Sequence, residues 1–239
     1  MDISKRIKSF WDDRAREYGH RWQATLGEEY LRLLEIREMS KQLRKYRPRR
    51  VLDVGCGNGY STKIYASRFP RSNFIGIDYS EAMIRASGQS SPVNCSFAVG
   101  DVLDSASFPP GEFDVVLTQR CIQNIPDYDR QRIAIGNLLD KVSSGGVLFL
   151  MECSRDGVEK LNGFRNRIGL PIIEGIEPWH NCFLRDQFLI DDFNAKVEHF
   201  SSTYMFLSKA IHPRLAPVGY HLPAIGKFGY DKLYIIRPY

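Results

Sequence analysis

Cysteine is scarce in this chain, and its five copies, Cys56, Cys95, Cys121, Cys153 and Cys182, form no C-x-x-C pair and no zinc-ligand spacing. Their odd count and scatter argue against a disulfide framework, and free thiols in a reducing cytoplasm are expected. No apolar run approaches the roughly eighteen residues that span a bilayer, so no membrane partner is expected. The start, Met1-Asp2-Ile3-Ser4-Lys5-Arg6, lacks the basic-then-apolar layout of a secretory signal. There is no Gly-Lys-Ser/Thr triplet, which excludes a Walker-type phosphate loop. Internal repeats and low-complexity linkers are absent too. Charge is nearly balanced, at a net +5, and so neither demands nor excludes an anionic partner.

What the chain does have is a glycine-rich turn at the end of an apolar run, Val51-Leu52-Asp53-Val54-Gly55-Cys56-Gly57-Asn58-Gly59-Tyr60. Glycine tolerates positive φ and has no Cβ, so the turn can be tight while backbone N–H groups face a ligand. A dinucleotide fingerprint needs G-x-G-x-x-G, and Tyr60 stands where the last glycine belongs. A nucleotide-like ligand without phosphates suits this loop better. A second apolar run, Phe74-Ile75-Gly76-Ile77-Asp78, also ends in a carboxylate, the position that binds ribose hydroxyls in doubly wound folds.

The remaining pattern alternates strand and helix. Ile3, Ile7, Phe10 and Trp11 fall at helical spacing, and a second helix is expected from about Glu28 to Lys45. Strands are expected near 50–54, 73–77, 94–99, 113–118 and 146–151, and long ones at Lys196–Leu207 and Tyr230–Arg237. Asp127 can cap a helix with the stripe Ile135, Leu138, Leu139 and Val142, ended by Gly145-Gly146. The fold class is thus α/β, a mostly parallel sheet with helices on both faces. At this length one domain is expected over 1–239, comprising an N-terminal helical cap (1–46), a cofactor-binding core (47–152), a substrate lid insertion (153–193) and C-terminal strands (194–239). The basic cluster Lys41, Arg44, Lys45, Arg47, Arg49 and Arg50 lies at the end of a helix and before the first strand, the wrong end for catalysis. It reads as a solvated helix C-terminus, with a nucleic-acid patch as the alternative.

The stretches VLDVGCGNGY (51–60), FIGIDYSEAMI (74–84), FAVGDVLD (97–104), FDVVLTQRCIQNIPD (113–127) and SSGGVLFLMECS (143–154) together resemble the class I S-adenosylmethionine-dependent methyltransferases, of small-molecule type. That resemblance implies a seven-stranded sheet with its last strand antiparallel, an N-terminal helical lid and an insertion between strands five and six. It implies S-adenosyl-L-methionine as cofactor and S-adenosyl-L-homocysteine as product. Asp53, Gly55, Cys56, Gly57, Asn58 and Gly59 match the loop that holds the methionine part, and Asp78 the ribose acid. Tyr79 and Met83 should flank the adenine, Asp101 and Val102 should read its edge, and Gln119 and Arg120 should lie near the sulfonium. Trp11 and Tyr18 resemble aromatics that close over the cofactor, although packing of the helix onto the core would serve them equally.

Members that use a divalent ion carry an aspartate after strand four and Asp-Asn after strand five, where this chain has Gln119 and Glu152-Cys153, so no metal is expected. Nucleic-acid amino-methyltransferases resemble one another in a Pro-Pro-aromatic run after strand four, absent from Thr118-Gln119-Arg120-Cys121-Ile122. A small-molecule acceptor, methylated at oxygen or nitrogen, is therefore favoured over DNA or RNA, with oligomeric state left open. Asn124, Arg165, Trp179, His180 and Arg185 are expected at the substrate. Arg120, Arg155, Arg165, Arg167 and Arg185 would suit a phosphate or carboxylate on it. A weaker resemblance, in 151–171 and Pro178-Trp179-His180-Asn181, is to bacterial methyltransferases of sugars and glycans. The catalytic base is open between His180 and Glu152, with His212 and His221 as further candidates. An RNA methyltransferase and a non-catalytic regulatory protein that binds the same cofactor are the rival functions.

Overall fold

In the computed structural model, residues 3–88, 90–173 and 179–238 are described. Residues 174–178, inside the expected lid, lie outside them. Seven strands form one sheet: β1 (Arg50–Val54), β2 (Asn73–Asp78), β3 (Cys95–Val99), β4 (Phe113–Gln119), β5 (Val142–Cys153), β6 (Lys196–Glu198) and β7 (Asp231–Ile236). Their order is β3-β2-β1-β4-β5-β7-β6. β1 to β5 run parallel, and β7 is antiparallel to both its neighbours.

Period-two alternation divides the apolar side chains between the two faces. Val51, Val115, Leu117, Phe149 and Leu233 point to one core, which is closed by helices α2 (Glu29–Tyr46), α3 (Tyr60–Arg68) and residues near the C-terminus such as Met205. Leu52, Val54, Val116, Leu150 and Tyr234 point to the other, closed by Ala134, Ile135 and Leu138 of a helix over Tyr128–Leu139 and by Leu189 of one over Asp186–Phe193. The chain leaves β1 outward to β2 and β3, then returns to β4 on the other side of β1. Such a reversal opens a crevice beyond the carboxyl ends of β1 and β4.

Helix α1 (Ile3–Tyr18) lies over that crevice. The side chain of Asp12 accepts from Ser80 Oγ at 2.5 Å, and Ser80 in turn caps α4 (Glu81–Ser87) by accepting from Met83 N. Downstream, the Nδ2 of Asn58 donates to the carbonyls of Gly19 and Arg21, both at 2.8 Å. The glycine-rich turn and the lid helix are thereby held together. No described helix is long and apolar enough to cross a membrane.

Two expected elements take another form. Gly145 and Gly146 lie inside β5 rather than ending a helix: α5 (Tyr128–Leu139) stops earlier, and Val142 already pairs with Phe113. A bulge separates that pair from the next, Val115 with Val147, and Gly145 takes φ +80° there. A Cβ on Gly146 would come within 2.9 Å of Asp114 O. The long strand expected at Lys196–Leu207 ends at Glu198, and residues 202–211 are a short helix and a π-helical turn. Its buried residues are Ser202, Tyr204, Met205, Ser208 and Ala210, which do not alternate as a strand's would, and the β-branched and aromatic composition masked this. The Oγ of Ser208 donates back to Tyr204 O, which suits a widened turn.

Candidate functional site

A cavity of about 510 Å³ fills the crevice under α1, a size typical of small-ligand sites, which run roughly 300–1,000 Å³. Its floor is the glycine-rich turn. Gly55, Gly57 and Gly59 have φ of +73°, +56° and +69°, values that strain any residue with a Cβ. Gly55 and Gly57 line the cavity, whereas Gly59 packs against Phe97, 2.4 Å from where its Cβ would stand. Asp53 lies beneath the turn, 2% exposed, and accepts from Thr62 Oγ1. Burial pushes its carboxyl up to about 7 despite that bond. Cys56, Asn58 and Gly59 also stay out of the cavity wall, so these four contribute to the turn's shape rather than its surface.

Asp78, the last residue of β2, does face the cavity. Its Oδ2 accepts from Gly57 N at 2.9 Å and its Oδ1 from Ser80 N at 2.9 Å, one protein donor for each oxygen. Burial pushes it up to about 6 against those two donors, with Asp12 and Asp101 adding to the rise. Tyr79, Met83, Asp101 and Val102 continue the same wall, and Asp101 is held by Leu103 N on its Oδ1. Gln119 and Arg120 complete it at the end of β4. Arg120 takes φ +54°, and its guanidinium donates to Glu35 and to Thr25 O. Trp11 lines the cavity from α1, while Tyr18 does not: it packs with Met83 and Ala82, with Arg14 over its ring at 4.4 Å.

The opposite wall comes from α1, the segment before α5 and residues 180–183. Backbone bonds from Cys182 N to Gln123 O and from Leu184 N to Cys153 O pull that segment back over the cavity. His180 is 2% exposed, lines the cavity and is packed by Phe10, Trp11 and Trp179, with ring centroids at 5.0, 6.1 and 4.2 Å. Trp179 supports His180 from behind, under Arg6, without reaching the cavity wall itself. Asn124 lines the wall, its Nδ2 donating to Arg120 O.

Glu152 stands behind the cavity wall, not on it, bonded to Cys121 and Gln123, which do line it. It is wholly buried, outside the cavity wall, and accepts from Thr118 Oγ1 and from the backbone N–H groups of Cys121, Ile122 and Gln123. Burial pushes it up to about 7 against those four donors. Its carboxylate closes the turn after β4, with three of the four donors on Oε1 and one on Oε2. The arginines expected at the substrate are also elsewhere. Arg165 donates to Pro171 O and Lys209 O. Arg185 pairs with Asp156 and Glu159 at 2.9 and 2.7 Å, Arg155 with Glu159 at 3.2 Å, and Arg167 is exposed. Only Arg120 of that set lines the cavity. His212 and His221 are exposed and away from it.

Several lining residues carried no signal in a linear reading: Lys5, Thr25, Glu28, Arg130 and Tyr230. Only the helical face of Ile7 and Trp11 implied that Ser4 and Lys8, at neighbouring i±4 and i±3 positions, would share their side.

A methyltransferase-domain family profile matches residues 51–146. Among curated proteins, a trans-aconitate 2-methyltransferase of Deinococcus radiodurans is 34% identical over 98 residues, 41% of this chain and 35% of that one. Another, of Rhodopseudomonas palustris, is 31% identical over 132 residues, 53% and 48% of the two chains. The chain thus spans between a third and a half of the length of these relatives. Among solved structures, the magnesium protoporphyrin IX methyltransferase of Synechocystis PCC 6803, with bound SAH, superposes with TM-score 0.63 at 15% identity, over 98% of this chain and all of that one. A complex titled DhpI-SAM-HEP superposes with TM-score 0.59 at 17% identity, over 96% and 95%. At such identities these two likenesses establish the fold. The matched profile makes residues 51–146 similar to a methyltransferase domain, and the parallel sheet with its antiparallel β7 over a glycine turn gives the described chain the fold of the S-adenosylmethionine-dependent methyltransferases it resembles.

Proposed function

We propose that the cavity binds S-adenosyl-L-methionine against Asp78 and the glycine turn, and that the chain directs its methyl group to an oxygen or nitrogen of a small-molecule acceptor held between α1 and residues 180–183. The observation that carries this reading is the pairing of Asp78 with Gly57: a buried carboxylate and bare, left-handed backbone meet on one cavity wall. The residues fit the group. Asp78 has acceptor capacity left on both oxygens for ribose hydroxyls, Asp101 and Val102 stand beside Met83 for an adenine, and Gly55 and Gly57 leave the floor clear of side chains for the amino-acid portion. The bound cofactor supplies a methyl group already activated on a sulfonium.

What the protein adds is positioning and exclusion of water. α1, tied down through Asp12 and Asn58, covers the cavity, and holding an acceptor in line can lower the barrier by up to roughly 7–11 kcal/mol. His180, walled by three aromatic rings, accepts the proton that an acceptor hydroxyl or amine releases. Glu152 is not offered for this role, because it stands outside the cavity wall. The curated relatives named for methylating trans-aconitate support a small metabolite as acceptor class. The test is twofold. Titration calorimetry should detect binding of S-adenosylmethionine and S-adenosylhomocysteine; silence with both contradicts the reading. Given an acceptor, His180→Ala should keep cofactor affinity and lose turnover by roughly 10²–10⁴-fold. Unchanged turnover removes His180 as the base.

A further inference from the structure

The cavity wall contributed by α1 and the start of α5 gathers positive charge. Lys5 and Lys8 stand one helical turn apart on α1, and Arg130 enters from the first turn of α5. The Nη1 of Arg130 donates to Ser4 Oγ at 3.3 Å, which aims its guanidinium at the α1 surface carrying the lysines. Among the described residues, none of these three cations forms an ion pair. The other cavity cations are engaged: Arg120 by Glu35, and Arg14 by the carbonyls of Gln23 and Ala24. Of the lining acids, Asp78 and Asp101 belong to the cofactor wall, and Glu28 is paired with Lys209 at 2.6 Å. Like charges at i and i+3 repel, so an uncompensated Lys5, Lys8 and Arg130 corner favours an anion.

Resting on the cofactor reading above, we propose that Lys5, Lys8 and Arg130 form an acceptor-recognition subsite for an anionic oxygen group, a carboxylate or a phosphate. Asn124, Asn181 and the apolar Ile125 and Phe183 line the same cavity as this corner and His180, and are the groups left to contact the uncharged body of the acceptor. The anion anchors one end of the acceptor and leaves its nucleophilic atom toward His180. Three cations from two elements also make the subsite dependent on α1 lying closed, so acceptor binding and lid closure reinforce one another.

The test uses the full chain saturated with S-adenosylhomocysteine, titrated with citrate, glucose 6-phosphate and neutral glucose. At least one anion should bind tenfold or more tightly than glucose, and whether citrate or glucose 6-phosphate binds assigns carboxylate or phosphate. The double variant Lys5→Gln/Lys8→Gln should weaken that anion tenfold or more with the S-adenosylhomocysteine affinity unchanged. Arg44→Gln/Lys45→Gln, the same charge loss at the far end of the sheet, should leave it unchanged. The proposal is overturned if no anion exceeds glucose, if Lys5→Gln/Lys8→Gln has no effect, or if both double variants lose binding equally. Failure of S-adenosylhomocysteine itself to bind contradicts the cofactor reading instead. The same titrations on ligand-free protein then decide the anion subsite by the same three outcomes.

Discussion

Asp78 closes β2 and Glu152 lies one residue before the end of β5, on opposite sides of the central strands. Both are buried, and burial pushes both carboxyls upward, to about 6 and about 7. They differ in what the protein has already spent on them. Asp78 receives one backbone donor per oxygen and faces a cavity, while Glu152 receives four donors and faces none. A strand-end carboxylate can serve a ligand when it opens on a cavity, and becomes a structural tie when it is enclosed by donors from a neighbouring turn.

Removing Asp78 should break that contrast most visibly. On the proposed binding mode Asp78→Ala deletes two charge-assisted bonds to ligand, each worth about 1.5–3 kcal/mol, so S-adenosylhomocysteine should bind at least about 100-fold more weakly by calorimetry. Unchanged circular dichroism would assign the loss to binding. Glu152→Gln should act on the other property. The amide must turn an N–H toward donors, at a cost of about 1–3 kcal/mol in urea unfolding, with turnover per folded molecule nearly unchanged. A large loss of turnover at normal stability would return Glu152 to the chemistry.

The pH response sharpens the comparison further. On the proposed binding mode Asp78 accepts from ribose hydroxyls most strongly when ionised, so cofactor affinity should hold above about pH 6 and fall as pH drops through it, by up to about tenfold per unit. Asp78→Asn should flatten that profile. For stability the sign is opposite. A carboxyl whose folded pKa is raised favours the fold while protonated, so Asp53 and Glu152 should make the protein less stable as pH climbs from about 4 through about 7. Thermal melts across that range, with Glu152→Gln showing a shallower slope, check it. The smallest effect belongs to Arg185→Ala. Its pairs with Asp156 and Glu159 are partly exposed, so about 0–1 kcal/mol of stability and no turnover should be lost.

How much was legible follows from how local each signal is. The strands β1 to β5, the glycine turn and Asp78 could be read because their chemistry lies within a few consecutive residues: an apolar run, then glycine or acid. Gly145 and Gly146 misled because glycine marks both a helix end and a bulge, and only the pairing of Phe113 with Val142 decides between them. Lys196–Leu207 misled because composition favoured a strand, whereas tertiary packing of Tyr204 and Met205 selected a helical turn. Glu152 could not be assigned from its own neighbours, since its donors arrive from residues 118–123 across the sheet. Arg155 and Arg185 are paired with acids of their own segment and Arg165 with carbonyls, while the cavity cations the sequence did not mark come from α1 and α5, far apart in sequence.

A crystal structure of the chain with S-adenosylhomocysteine bound tests the central claim most directly. The account predicts the ribose hydroxyls on the Asp78 carboxylate, with the ligand's amino-acid portion over Gly55 and Gly57. A ligand seated elsewhere, with Asp78 contacting only Gly57 and Ser80, would contradict it.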